Sequence, residues 1–318
     1  MKLTLALSLA IAALTWLFWP TESAAERLLA DYSNRLARTL ETPIDLAPFQ
    51  PKRLLSPLEQ RKQAEPKARS SLGKVLSLGQ CGLVQDLARV NNSLGKVAPA
   101  SQRLLMTQRL LHTAQQCTPE DPQIQAELDR LIEHRQALWP VLLNNALVAG
   151  PEWSAHFKSS TAPLGPGAPV DYRLDALLAW IDGQAMDQPD TGGQLNDLLQ
   201  ALNRSTQGGA ALQAMALVDQ QLPPMTQALQ RSEICQGPRG VEQRRLAQQV
   251  FSSQYLERIQ PWLSTLTKAL RPIYAVPVQT PWRATPIPWA QWQTTTREHA
   301  LAWRDLLGRC GLSPPGTG

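Results

Sequence analysis

Leucine occupies 51 positions of this chain, whereas valine and isoleucine together occupy only 21 and phenylalanine and tyrosine four each. Straight-chain side chains lose little rotamer freedom in a helix, while β-branched and aromatic ones favour a pleated surface. The 31 glutamines push the same way. An all-α fold follows, and it is an irregular multi-helix bundle with Pro-rich loops, because 26 prolines must be seated between helices or in their first turns. With 318 residues and 43% apolar side chains the chain can bury a substantial core, which excludes disordered, collagen-like and multi-span membrane proteins.

The first 25 residues speak about compartment. Lys2 precedes an almost unbroken apolar run from Leu3 to Trp19, and the next charges are Glu22, Glu26 and Arg27. A positive start before such a run marks a segment threaded into a membrane with its N-terminus in the cytoplasm, so the remainder is expected to be exported. Two readings fit. Ser23-Ala24-Ala25 supplies small residues for signal-peptidase cleavage after Ala25, yet the run is also close to the lower limit for spanning a bilayer, and Trp16 and Trp19 suit an interface. Residues 1–25 are therefore a signal peptide or an N-terminal membrane anchor. The expected location is the periplasm or the periplasmic face of the inner membrane, with membrane contact through residues 3–19 if they are not cleaved.

Cys81, Cys117, Cys235 and Cys310 make an even set that fits an oxidising compartment, and no cysteine precedes Cys81 to carry an N-terminal lipid. If the chain turns between Val97 and Ser101, each arm back to a cysteine is about 16 residues, roughly 24 Å at helical rise, which sets Cys81 level with Cys117. Cys235 is then expected to pair with Cys310.

Helical periodicity is read at residues 24–41, 75–92, 101–117, 119–149, 171–186, 194–203, 209–231, 240–270 and 290–308. The 119–149 helix is given Thr118 as its cap, Pro119 in its first turn and a bend at Pro140. An interruption is expected at Pro223-Pro224 and a bend at Pro261. Residues 26–318 thus form one helical domain, with a division into two subdomains placed near 150–170, where four prolines and three glycines gather. Pro43, Pro48, Pro51 and Pro57 should hold residues 42–57 extended across the surface. The net charge of +5 is concentrated between Lys52 and Arg69, which reads as a solvated basic linker, and export disfavours a nucleic-acid partner.

Chemistry is sparse. Gly73-Lys74 and Gly95-Lys96 lack the second glycine and the hydroxyl residue of a phosphate loop. No two of His112, His134, His156 and His299 stand at helical metal-ligand spacing, so no metal and no cofactor are expected. Glu127, Asp129 and Glu133 alternate with Arg130 and Arg135 and read as a solvated, ion-paired helix face. No catalytic set is assigned. What remains is aromatic: five of the 10 tryptophans lie at Trp262, Trp282, Trp289, Trp292 and Trp303. Offsets of seven and four put Trp292, His299 and Trp303 on one helix face. With Trp282, Arg283 and Trp289 they are expected to form a partner-binding surface, at least two of its rings exposed beside a cation such as Arg283 or Arg297.

The stretch Cys81-Gly82-Leu83, Val90 to Val97, Ser101 to Leu105 and Cys117 resembles an uncharacterised family of bacterial envelope proteins, a domain of unknown function whose members are often lipoproteins. Ile259-Gln260-Pro261-Trp262 and the segment from His299 to Cys310-Gly311 fit the same pattern. The resemblance spans nearly all of the chain after residue 25 and brings no known activity. It departs from many members in lacking the lipid-bearing cysteine. Export, cysteine pairing and the absence of site signatures favour a non-enzymatic binding or scaffold protein that engages an envelope component, whether protein, lipid or cell-wall polymer. The alternative is an envelope hydrolase acting on a cell-wall or lipid substrate through a carboxylate pair that only folding brings together.

Overall fold

The computed structural model describes residues 22–66, 78–183, 193–236, 240–276 and 288–312. Among these residues every regular element is helical and none is a strand. Helix α1 (Ala24–Leu40) opens with a capping box: the Ser23 hydroxyl accepts from the Glu26 N–H at 3.2 Å and the Glu26 carboxylate accepts from the Ser23 N–H at 2.8 Å. Its apolar stripe of Leu28, Leu29, Tyr32, Leu36 and Leu40 is buried. One turn, α2 (Leu58–Arg61), interrupts the extended segment that follows.

A satellite comes next. A 3-10 turn (Leu78–Cys81), α3 (Leu83–Asn91) and α4 (Ser93–Val97) lead into the antiparallel hairpin of α5 (Ala100–Gln115) and α6 (Pro122–Leu147). Helix α6 begins three residues later than the sequence suggests: Asp121 is the cap, accepting from the Gln123 N–H at 2.8 Å, and Pro122 rather than Pro119 fills the first turn. The remaining elements are α7 (Pro151–His156), α8 (Arg173–Gly183), α9 (Gln194–Asn203), α10 (Gln207–Arg231), α11 (Gly240–Val250), a π-helical stretch (Phe251–Ile259), α12 (Gln260–Ala275) and α13 (Trp289–Arg309). No helix among the described residues is long and apolar enough to cross a membrane.

Helix α10 is the axis of the main body, packed by α1, α7, α12 and α13. Its sequence explains why: apart from Gln213, the run from Gly208 to Val218 is small or apolar on every side, and all of it is buried. Gly208 is required here, because a Cβ at that position would lie 2.3 Å from the Phe157 ring and 2.5 Å from the His156 ring. Pro223 and Pro224 do not break this helix. Both are half-buried while Gln221, Leu222, Met225 and Thr226 around them are buried, so packing on several sides outweighs two lost backbone bonds. The 240–270 segment is likewise continuous, but through nine π-helical residues, after which Pro261 falls in the first turn of α12.

Both disulfides pair as expected: Cys81–Cys117 with Cα atoms 5.3 Å apart and Cys235–Cys310 with Cα atoms 5.1 Å apart. Among the described residues there are two separate hydrophobic clusters. The small one joins Leu78, Leu83, Leu87, Leu110, Ala114 and Leu128 beneath the first disulfide. The large one includes Trp153, Phe157 and Leu164. Trp153, Phe157 and Leu164 lie in the 150–170 stretch where the sequence places a division, and the change from one cluster to the other falls across the α5–α6 hairpin.

Candidate functional site

The C-terminal aromatic surface is not a surface for three of its members. Trp292, His299 and Trp303 are 2%, 0% and 0% exposed, so the expectation that they meet a partner is corrected. The shared face is real, but it points into the core. Trp292 donates its Nε1–H to the Thr267 hydroxyl on α12 at 3.3 Å. Trp303 and His299 belong to a buried hydrogen-bonded chain whose directions can be worked out. The Thr226 hydroxyl donates to the Leu222 carbonyl at 3.0 Å, so its oxygen accepts from His299 Nδ1–H at 2.8 Å. Nε2 is then the acceptor for the Tyr32 hydroxyl at 2.7 Å, whose oxygen accepts from Trp303 Nε1–H at 2.5 Å. Burial pushes His299 down to about 3 and Tyr32 well above its ordinary value, so both stay neutral. Trp289 is half-buried against Tyr274, with ring centroids 5.3 Å apart. Trp282 and Arg283 lie outside the described residues.

One cluster combines the residue types of nucleophilic catalysis. Ser205, His156 and Asp171 converge between α7, α8 and α9, but their bonds run the wrong way for a triad. Ser205 donates its hydroxyl to Asp171 at 2.5 Å, while His156 Nδ1 meets the Ser205 carbonyl at 3.0 Å, not its hydroxyl. Nε2 of His156 lies against Gly208. The imidazole therefore has no path to the serine proton. Asp171 serves α8 instead, accepting from the Arg173 N–H at 3.0 Å and from its guanidinium at 2.7 Å. Burial raises its pKa, but the bonds from Ser205 and Arg173 outweigh this and hold it below the ordinary range. Among the described residues no group of three or more His, Cys, Asp or Glu could hold a metal ion.

The acidic face of α6 is an ion-paired surface in part, with Arg130 to Glu127 at 2.8 Å and Gln125 to Asp129 at 2.8 Å. Arg135 leaves that face and is buried.

The reading of residues 52–66 as a solvated linker also needs correction. Side-chain amides hold this strap by its backbone. Gln213 accepts from the Lys52 N–H at 2.9 Å and donates to the Lys52 carbonyl at 2.7 Å, and Asn145 does the same for Gln63 at 2.8 and 2.9 Å. Arg61 is buried, donating to the Ser56 carbonyl at 3.0 Å, to the Val148 carbonyl at the end of α6, and to the Ser154 hydroxyl at 2.9 Å. A cation at a helix C-terminus meets the negative end of the macrodipole, which favours this placement.

One surface feature stands apart from these internal bonds. Helix α4 turns back on the end of α3, with Asn92 Oδ1 accepting from the Gly95 N–H at 2.6 Å. Gly95 faces inward so closely that a Cβ would sit 1.9 Å from the Arg89 carbonyl oxygen. With the glycine inside, Leu94 and Val97 must face outward, and they are 76% and 79% exposed. Lys96 and Arg89 are exposed beside them, and Arg103 steadies the far end by donating to the Ala98 carbonyl at 3.1 Å. In sequence Gly95-Lys96 reads as a failed phosphate loop and as part of the stretch that carries the family resemblance. The usable signal was a glycine between two apolar residues in a one-turn helix.

Neither a curated protein nor a solved structure matches the chain. The family model described as a protein of unknown function, DUF3080, matches residues 29–314, a span from the second turn of α1 to beyond the end of α13. With both disulfides and almost every described helix inside that span, the chain belongs to the DUF3080 family.

Proposed function

We propose that this chain is an exported, non-enzymatic binding or scaffold protein of the bacterial envelope, working in the periplasm or at the periplasmic face of the inner membrane, and that its satellite carries the partner contact. The observation behind this reading is the Leu94–Val97 pair. Apolar side chains this exposed, three residues apart on one turn with the exposed Lys96 between them in sequence, are a feature that contacts with other molecules use. Two disulfides support export, since such bonds form and persist in oxidising compartments. Trp292 and Trp303, which the sequence offered for binding, serve the core, which favours the satellite as the candidate.

The test replaces Leu94 and Val97 together by Glu in the full chain and follows it by chemical cross-linking in its native envelope. Wild type should give a discrete adduct that the double variant loses. Both positions are exposed, so the melting temperature should barely move. An adduct that persists in the variant, or none from wild type, contradicts the proposal.

A further inference from the structure

Arg135 stands on α6 one heptad after Leu128 and one before Leu142, both buried. Seven-residue steps return to nearly the same helix face, so a guanidinium occupies a place that leucines hold on either side. The residue is only 7% exposed, and its Nε is buried without a hydrogen-bond partner. No carboxylate or carbonyl pairs with the guanidinium among the described residues. Of its three nitrogens Nε alone is both sealed and without a partner. Arg61 makes the contrast plain. It is equally buried, at 6%, and is met by three oxygen acceptors.

The position is the seam between the two cores. Leu128, Leu131 and Ile132 belong to the satellite cluster, while Leu138, Trp139 and Leu142 belong to the main one. On α5 the same change occurs between Leu104 and Leu110, and the buried residues between them, Thr107 and Gln108, are polar. Burial lowers the pKa of Arg135, but a guanidinium does not give up its proton, so the cation is carried uncompensated. A guanidinium with a sealed, unpartnered Nε and no acidic or carbonyl acceptor lacks its partner.

We infer that Arg135 anchors an oxyanion site in the α5–α6 seam, where its terminal nitrogens take a carboxylate or phosphate group presented from outside the chain. The planar fork suits two oxygens at once, which a halide cannot supply. This site is independent of the Leu94–Val97 contact.

Thermal melting of the full chain tests it, in inorganic phosphate, in acetate and in chloride at equal ionic strength, for wild type, Arg135→Leu and Arg135→Gln. Wild type should melt several degrees higher in phosphate or acetate than in chloride, saturating with concentration. The preferred anion identifies the group. The rise should vanish in both variants. Either variant suffices for the comparison if the other does not fold. No anion-specific rise in wild type, or an equal rise in a folded variant, overturns the inference.

Discussion

Tyr32 and His299, 267 residues apart in sequence, meet at 2.7 Å between the tyrosine hydroxyl and Nε2 of the imidazole. This contact ties α1 to α13, and the continuation through Thr226 ties both to α10. Every donor and acceptor along it has a partner, which is the condition under which a buried polar chain rigidifies a core rather than weakening it.

Acid should therefore weaken the fold well above the carboxylate range. His299 is held down to about 3 by burial, so the unfolded chain binds its proton near pH 6.5 while the native state does not. Stability is present above pH 6.5 and lost as pH falls toward 3, by about 2 kcal/mol at pH 5. His156 and His134 are also lowered by burial and act in the same direction. Asp31 and Asp171 are held below 3.8 by bonds that outweigh burial, so they act only at lower pH. Urea unfolding from pH 7 to 4.5 should show the decline, and His299→Gln should flatten it while lowering stability at pH 7. An unchanged slope in that variant would contradict the neutral, buried imidazole.

The two disulfides should fail differently. Each closes a long loop and contributes roughly 4 kcal/mol in the chain-entropy model. Cys81–Cys117 clips a satellite whose buried cluster is small, so Cys81→Ser with Cys117→Ser should open residues 78–117 to proteolysis while the main melting transition stays. Cys235–Cys310 fastens the end of α13 to the main body, and its loss should lower that transition. Both double variants shifting the same transition equally would mean the satellite is not separate.

Gly208→Ala drives a methyl into the His156 and Phe157 rings and should cost about 1–3 kcal/mol, as overpacking does. Gly183→Ala, at the end of α8 with open space around it, should be neutral or slightly stabilising. Denaturant midpoints for the pair decide it. Equal effects would rule out the close approach of α7 to α10.

Much of this fold could be read from leucine spacing. The helix over residues 194–203 is legible to the residue, and the Cys81–Cys117 pair follows from arm lengths, with Cys235 and Cys310 left to pair. The failures share a cause, which is that periodicity reports which residues share a face and not what covers that face. Trp292, His299 and Trp303 share one face, as their spacing shows, but what meets that face is Tyr32, Thr226 and Thr267 arriving from other helices. Pro223-Pro224 stays helical because of neighbours that local propensity does not contain. The strap was misjudged because its partners are side-chain amides; Gln213, alone among apolar residues from Ala210 to Val218, was the visible sign. Arg135 carried a similar sign in its seven-residue spacing from Leu128 and Leu142.

The central claim is that the satellite is where this protein meets its partner, and a photo-crosslinking amino acid placed at position 94 in the living envelope tests it most directly. Tyr172, 66% exposed on the main body, is the control position. The account predicts a discrete adduct from position 94 and none from 172. No adduct from 94, or the same adduct from both, would contradict it.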